Sequence, residues 1–96
     1  MPSRSFVLLV ADQHGGAEDA PPRLGITVSR RVGSAVVRSR VKRRFREWFR
    51  RHREMFPRGK DVVLIARPAA ANASSEEMGR ELERALARLG RTGEPR

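Results

Sequence analysis

The sequence predicts a small α+β sandwich: about three strands packed against a long basic helix in a βαβ crossover, with a C-terminal helix. Three apolar runs, near 5–11, 23–29 and 61–67, have the length and composition of strands. Two longer stretches, near 35–54 and 75–89, repeat their apolar residues at helical spacing. A chain of 96 residues has room for one core, and it contains no internal repeat or domain boundary. The organisation expected is a single α/β domain over residues 1–90 and a disordered tail over 91–96.

Ser5 to Ala11 is a brief apolar run ending at Asp12, as a buried or half-buried strand would. Asp12 to Pro22 is polar, carries Gly15-Gly16 and Pro21-Pro22, and reads as a loop. In Arg23 to Ser29, Leu24, Ile26 and Val28 alternate with Gly25 and Thr27, the period of a second strand. The eleven-residue connection suggests an antiparallel pair of these two strands. Gly33 then breaks the chain and Ser34 is placed to cap a helix. From Ala35 to Glu54 there is no Gly or Pro. At ~100° per residue, Val37, Val41, Phe45, Trp48, Phe49, His52 and Met55 fall within an arc of about 120°. That pattern predicts an amphipathic helix of about 20 residues with its large aromatics turned to a core.

Pro57-Arg58-Gly59 ends that helix. Asp61 to Arg67 holds five consecutive apolar residues, which suggests a central strand covered on both faces, and Pro68 ends it. Ser74 followed by Glu77 is a capping box. Met78, Leu82, Ala85, Leu86 and Leu89 then form the stripe of a second amphipathic helix, stopped at Gly90.

Charge is distributed very unevenly. Between Arg30 and Arg53 there are eleven basic residues and one acid, Glu47, so this segment alone matches the whole chain's formal net charge of +10. Nineteen of the 21 basic residues are arginine. A sequence pI near 11.8 with localised charge indicates a polyanionic partner. Cysteine is absent, which excludes disulfides and thiolate metal sites. No apolar run has the roughly 18 residues of a membrane span, and no leader pattern is present, so a cytoplasmic protein with no membrane partner is expected.

Nothing in the sequence points to protein-based catalysis. His14 lies in a glycine-rich loop, and His52 falls on the apolar arc of the long helix, where a core-edge role suits it. Neither has a carboxylate or nucleophile at the spacing of a dyad. Glu76-Glu77 and the pair Glu81 and Glu83 fit a helix start and an exposed face, and the helix dipole accounts for them. No phosphate-cradling glycine loop or zinc spacing occurs, and no cofactor is expected on the protein alone.

The basic helix has three readings. A solvated face would mix charge signs to gain i,i+4 pairs, and this one does not. A membrane-surface or calmodulin-target helix would withdraw its apolar face from a core that has few other large side chains. Phosphate binding remains, and arginine's planar fork suits it. The helix carries no Asn or Gln to read base edges in a major groove, so backbone and shape recognition of folded RNA fits it better than DNA.

The segment RLGITVSRRVGSAVVRSRVKRRFRE (Arg23–Glu47) closely resembles the signature of the protein subunit of bacterial ribonuclease P. DVVLIAR (Asp61–Arg67) and the final helix agree in order and spacing, and the resemblance covers about Phe6 to Leu89. It implies a left-handed crossover through the basic helix. It implies that a partner RNA, with bound magnesium, removes the 5′ leader of precursor tRNA, while one protein per RNA binds that RNA and the leader. The RNA-binding positions it implies are Arg30, Arg31, Arg38, Ser39, Arg40, Lys42, Arg43 and Arg46. Ser39 replaces the asparagine of the family's Arg-Asn-Arg. Family members usually begin with an aromatic-bearing helix that forms one wall of the leader cleft; this chain starts almost at the first strand, with Leu9 where many members have tyrosine. Phe6 is then either core or a remaining stacking surface for the leader. A general RNA-binding or ribosome-associated module using the same helix is the alternative function.

Overall fold

A computed structural model describes residues 2–13 and 19–92. Strand β1 (Phe6–Asp12) and strand β2 (Arg23–Thr27) are followed by helix α1 (Ala35–Arg51), strand β3 (Lys60–Ala66) and helix α2 (Ser75–Thr92). The three strands form one sheet in the order β1-β3-β2. β1 runs antiparallel to β3, with Leu8 opposite Leu64, and β2 runs parallel to β3, with Ile26 opposite Leu64.

The expected pairing of the first two strands is therefore corrected: β3 lies between them. The reason is burial. β3 has the apolar run richest in β-branched residues, and the central position shields it from solvent along both edges. It is central but not covered equally on its two faces. Val62, Leu64 and Ala66 are buried, whereas Val63 and Ile65 are only half-buried, because both helices supply their apolar stripes to one side of the sheet.

On that side Phe6 and Leu8 of β1 meet Val62 and Leu64 of β3, Val41 and Phe45 of α1, and Met78, Leu82, Ala85 and Leu86 of α2. The Phe6 and Phe45 rings pack edge to face with centroids 5.8 Å apart. Phe6 is fully buried, so its ring is core and is not available for stacking on RNA.

Helix α1 is three residues shorter than its apolar arc suggested. His52 leaves the helix at φ −127°, its Nδ1 donates to the Trp48 carbonyl at 2.9 Å, and a 3₁₀ turn follows over Arg53–Met55. The turn shifts the phase of the pattern. Met55, expected on the core arc, is 39% exposed, and Phe56 is buried in its place. Phe56 packs edge to face on Phe49 at 4.7 Å and on Trp48 at 6.0 Å.

Helix α2 begins with the expected box: the Ser74 backbone N–H donates to Glu77 Oε1 at 2.9 Å, and the Glu77 N–H donates to Ser74 Oγ at 3.1 Å. It continues through Gly90 to Thr92, past its expected end. A single glycine costs a helix about 1 kcal/mol, and it ends one reliably only when it turns left-handed. Thus Arg91 and Thr92, placed in the tail by the sequence, are helical, and 93–96 lie outside the described residues together with His14.

Glu81 is not on an exposed face as expected. Its carboxylate is half-buried and accepts hydrogen bonds from Ser3 Oγ (2.6 Å), the Ser5 N–H (2.9 Å) and Ser5 Oγ (2.7 Å). The Arg67 guanidinium also donates to the Ser3 carbonyl at 2.9 Å, so the segment ahead of β1 is clamped between α2 and the end of β3. Burial raises the Glu81 pKa, but the bonds from Ser3 and Ser5 outweigh it and the net shift is downward.

Candidate nucleic-acid interface

Local geometry places the basic residues before it places a ligand. Gly33 has φ 155°, and a Cβ there would stand 2.9 Å from Val37 Cγ1, so glycine is required where the chain turns into α1. Ser34 caps the helix, its Oγ accepting from the Val37 N–H at 3.4 Å. The turn before it, closed by Val32 N–H to Ser29 carbonyl (3.1 Å) and Gly33 N–H to Arg30 carbonyl (3.2 Å), leaves Arg30 and Arg31 exposed beside the helix start. The first turn of α1 holds no acidic residue. Its free N–H groups and the positive end of its dipole therefore add to the two arginines, an arrangement that favours an anion.

Along α1, Ser39, Arg40, Arg43 and Arg46 are exposed, and Arg38 and Lys42 are half-buried on the flank. The side chains form rows four residues apart. One row is Arg38, Lys42, Arg46 and Arg50, all basic; the next is Ser39, Arg43, Glu47 and Arg51, interrupted by the single acid. Arg38 Nε is shielded from solvent and has no acceptor among the described residues. Val36, 75% exposed, lines a shallow groove with Ser39, Arg40 and Arg43, giving an apolar spot among the cations. None of Arg43, Arg46, Arg50, Arg51 and Arg53 forms an ion pair with a described residue.

The eight positions singled out in the sequence thus occupy the outer arc of one helix and the turn leading into it. Arg44, inside the same run, is diverted: its Nη1 donates to the Ala73 carbonyl at 2.6 Å and ties α1 to the approach of α2. The exposed Arg50, Arg51 and Arg53 were not among the expected contacts; only their uncompensated charge marks them in the sequence.

A second cleft lies between α1 and α2, lined by Trp48, Arg51, His52, Glu76 and Gly79 among others. His52 stacks on Trp48 with centroids 4.0 Å apart, and a Cβ on Gly79 would come within 2.8 Å of Trp48 Nε1. Here His52 is a packing residue. Among the described residues no three His, Asp or Glu side chains converge as metal ligands, and no helix is long and apolar enough to cross a membrane.

Fold and surface together define a small α+β protein that holds a cationic helix rigidly against a sheet, a scaffold for grasping a polyanion. Comparison with known proteins gives the family. The family model for Ribonuclease P matches residues 1–90, and the chain belongs to that family. It is 50% identical over 70 residues to the ribonuclease P protein component of a Nocardioides species, covering 73% of this chain and 60% of that one. With the component from Thermobifida fusca it shares 47% identity over 75 residues, 78% of this chain and 50% of the relative. The chain thus spans between half and three-fifths of the length of these relatives. Among solved structures, the Staphylococcus aureus RNase P protein superposes with a TM-score of 0.80 at 31% identity, covering 93% of this chain and 78% of that one. The Thermotoga maritima RNase P protein gives 0.79 at 32%, covering 92% and 80%.

Proposed function

We propose that this chain serves as the RNA-binding protein component of ribonuclease P. In this role it binds the catalytic RNA and assists it in removing the 5′ leader from precursor tRNA, one protein per RNA, in the cytoplasm. The observation that carries this reading is the basic outer face of α1, with Arg30 and Arg31 at its start, on a chain of this family. Arg30, Arg31, Arg38, Arg40, Lys42, Arg43 and Arg46 would contact phosphates. Ser39, exposed between Arg38 and Arg40, keeps a hydroxyl that can donate or accept there.

The division of labour follows from the chemistry available. The outer face of α1 offers cations, which suit phosphate oxygens, and magnesium is expected with the RNA. The protein's contribution is to hold phosphates in place, which lowers the cost of bringing RNA strands together and of the hydrolysis that follows. For the leader, the second face of the sheet is uncovered by helices. Val7, Leu9, Val63 and Ile65 are exposed or half-buried, with Val63 paired to Leu9 on one side and to the exposed Gly25 on the other, and Leu9 is 47% exposed. That apolar floor would take unstacked bases.

Reconstitution with a bacterial ribonuclease P RNA at low magnesium tests the proposal. Added protein should raise cleavage of precursor tRNA and should prefer this RNA over unrelated structured RNAs. No gain in cleavage, together with equal affinity for all structured RNAs, would instead assign a general RNA-binding module.

A further inference from the structure

The uninterrupted row on α1 continues beyond Glu47, where the sequence resemblance to the ribonuclease P signature ends. We propose that Arg50 and Arg53 extend the RNA-binding surface, so that one RNA strand lays its phosphates along Arg38, Lys42, Arg46, Arg50 and Arg53. The proposal rests on the reading of this chain as an RNA-binding component and adds residues to its interface.

Spacing is the first support. Arg38, Lys42, Arg46 and Arg50 stand four residues apart, so each step rises about 6 Å and the row spans about 18 Å. Such steps are of the order of the separation between successive phosphates of a nucleic-acid strand. The neighbouring row offers no equivalent path, because Glu47 stands between Arg43 and Arg51 and would repel a phosphate.

The second support is that these charges are unspent. Arg46, Arg50 and Arg53 are exposed and form no ion pair with a described residue. Glu47 stands three and four residues before Arg50 and Arg51, a spacing at which oppositely charged side chains on a helix commonly pair.

Third, Arg53 is pre-positioned. Its guanidinium lies 5.6 Å from the centroid of the Phe49 ring, and Phe49 is itself braced by Phe56. A side chain already held by a cation–π contact loses less freedom when it takes a phosphate. The C-terminal end of the helix dipole favours a cation at either position, so the salt dependence of binding is what separates a structural role from RNA contact.

The test is the salt dependence of binding to ribonuclease P RNA and, in parallel, to an unrelated structured RNA. Each phosphate contact contributes about 0.7–0.9 to the slope of log K against log salt. R50Q/R53Q should therefore flatten the slope by about 1.4–1.8, R53Q alone by about half of that, and R50K/R53K hardly at all. R80Q/R84Q, which removes the same charge from the exposed side of α2, should leave the slope as it is. R53Q changes a residue outside α1 and gives up only its contact with the Phe49 ring, so its slope stays readable even if the double variant melts early. A wild-type slope in R53Q and in the double variant, or an equal loss in R80Q/R84Q, would overturn the track. If the wild type shows no preference for ribonuclease P RNA, the proposed function fails, while the slopes on the unrelated RNA still decide the track.

Discussion

Helices α1 and α2 are nearly equal in length, 17 and 18 residues, and pack on the same face of one sheet, yet they follow opposite rules. α2 places Glu76 and Glu77 in its first turn, closes a reciprocal capping box, and intersperses Arg80, Glu81, Glu83 and Arg84. Each choice lowers the energy of an isolated helix. α1 has no acid in its first turn, a single long capping bond, and one acid among its cations. Its exposed face therefore opposes folding by self-repulsion, and the buried arc must compensate. A helix that breaks the rules its neighbour keeps is shaped by something outside the fold.

The comparison can be broken most severely at the arc. Phe45→Ala removes a buried ring that meets Phe6, and should cost about 3–5 kcal/mol in urea unfolding. A small loss would mean that α1 is held by something other than its apolar face.

Next comes the polar latch on α2. Glu81→Gln should cost about 1–2 kcal/mol, because the amide cannot accept from Ser3 and Ser5 as the carboxylate does. The folded-state pKa of Glu81 is lowered, so its contribution is present above the unfolded value of about 4.3 and is lost as pH falls through the folded one. Thermal melts across pH 3–7 should show the wild type and E81Q converging at the acid end. A constant gap would refute the latch.

The caps sharpen the contrast. Ser74→Ala should cost about 1 kcal/mol, and Ser34→Ala less, about 0.5 kcal/mol, since its bond is long and unreciprocated. Smallest of all, Arg43→Gln or Arg46→Gln should change stability by no more than about 0.5 kcal/mol, and in the stabilising direction, as repulsion is relieved. A marked loss in calorimetry would show that these arginines serve the fold.

Much of this was legible in the sequence because it is local. The strand runs, the Ser74–Glu77 box, the Ser34 cap and the arc from Val37 to Phe49 all depend on residues within a few positions of one another. What was not legible depends on distant partners. The position of β3 is a competition among three strands, and an apolar run announces burial without naming its neighbours. The exchange of Met55 for Phe56 follows from His52 turning back onto the Trp48 carbonyl. Glu81 looked like any helical glutamate until Ser3 and Ser5 were brought to it across the fold. At the interface, charge density identified the helix, but the diversion of Arg44 to Ala73 and the contact of Arg53 with the Phe49 ring required the packed structure.

The strand order has a consequence in time. Because β3 separates β1 from β2, no pair of neighbouring strands exists until residues 60–66 have been synthesised. At about 5–20 residues per second, the ribosome needs roughly 2–8 seconds to extend the chain from Thr27 to Ala66. Throughout that interval α1 has no sheet beneath its apolar arc, and a lone helix of its length is marginal in water. The cationic face of α1 thus gains its support only once β3 has been made.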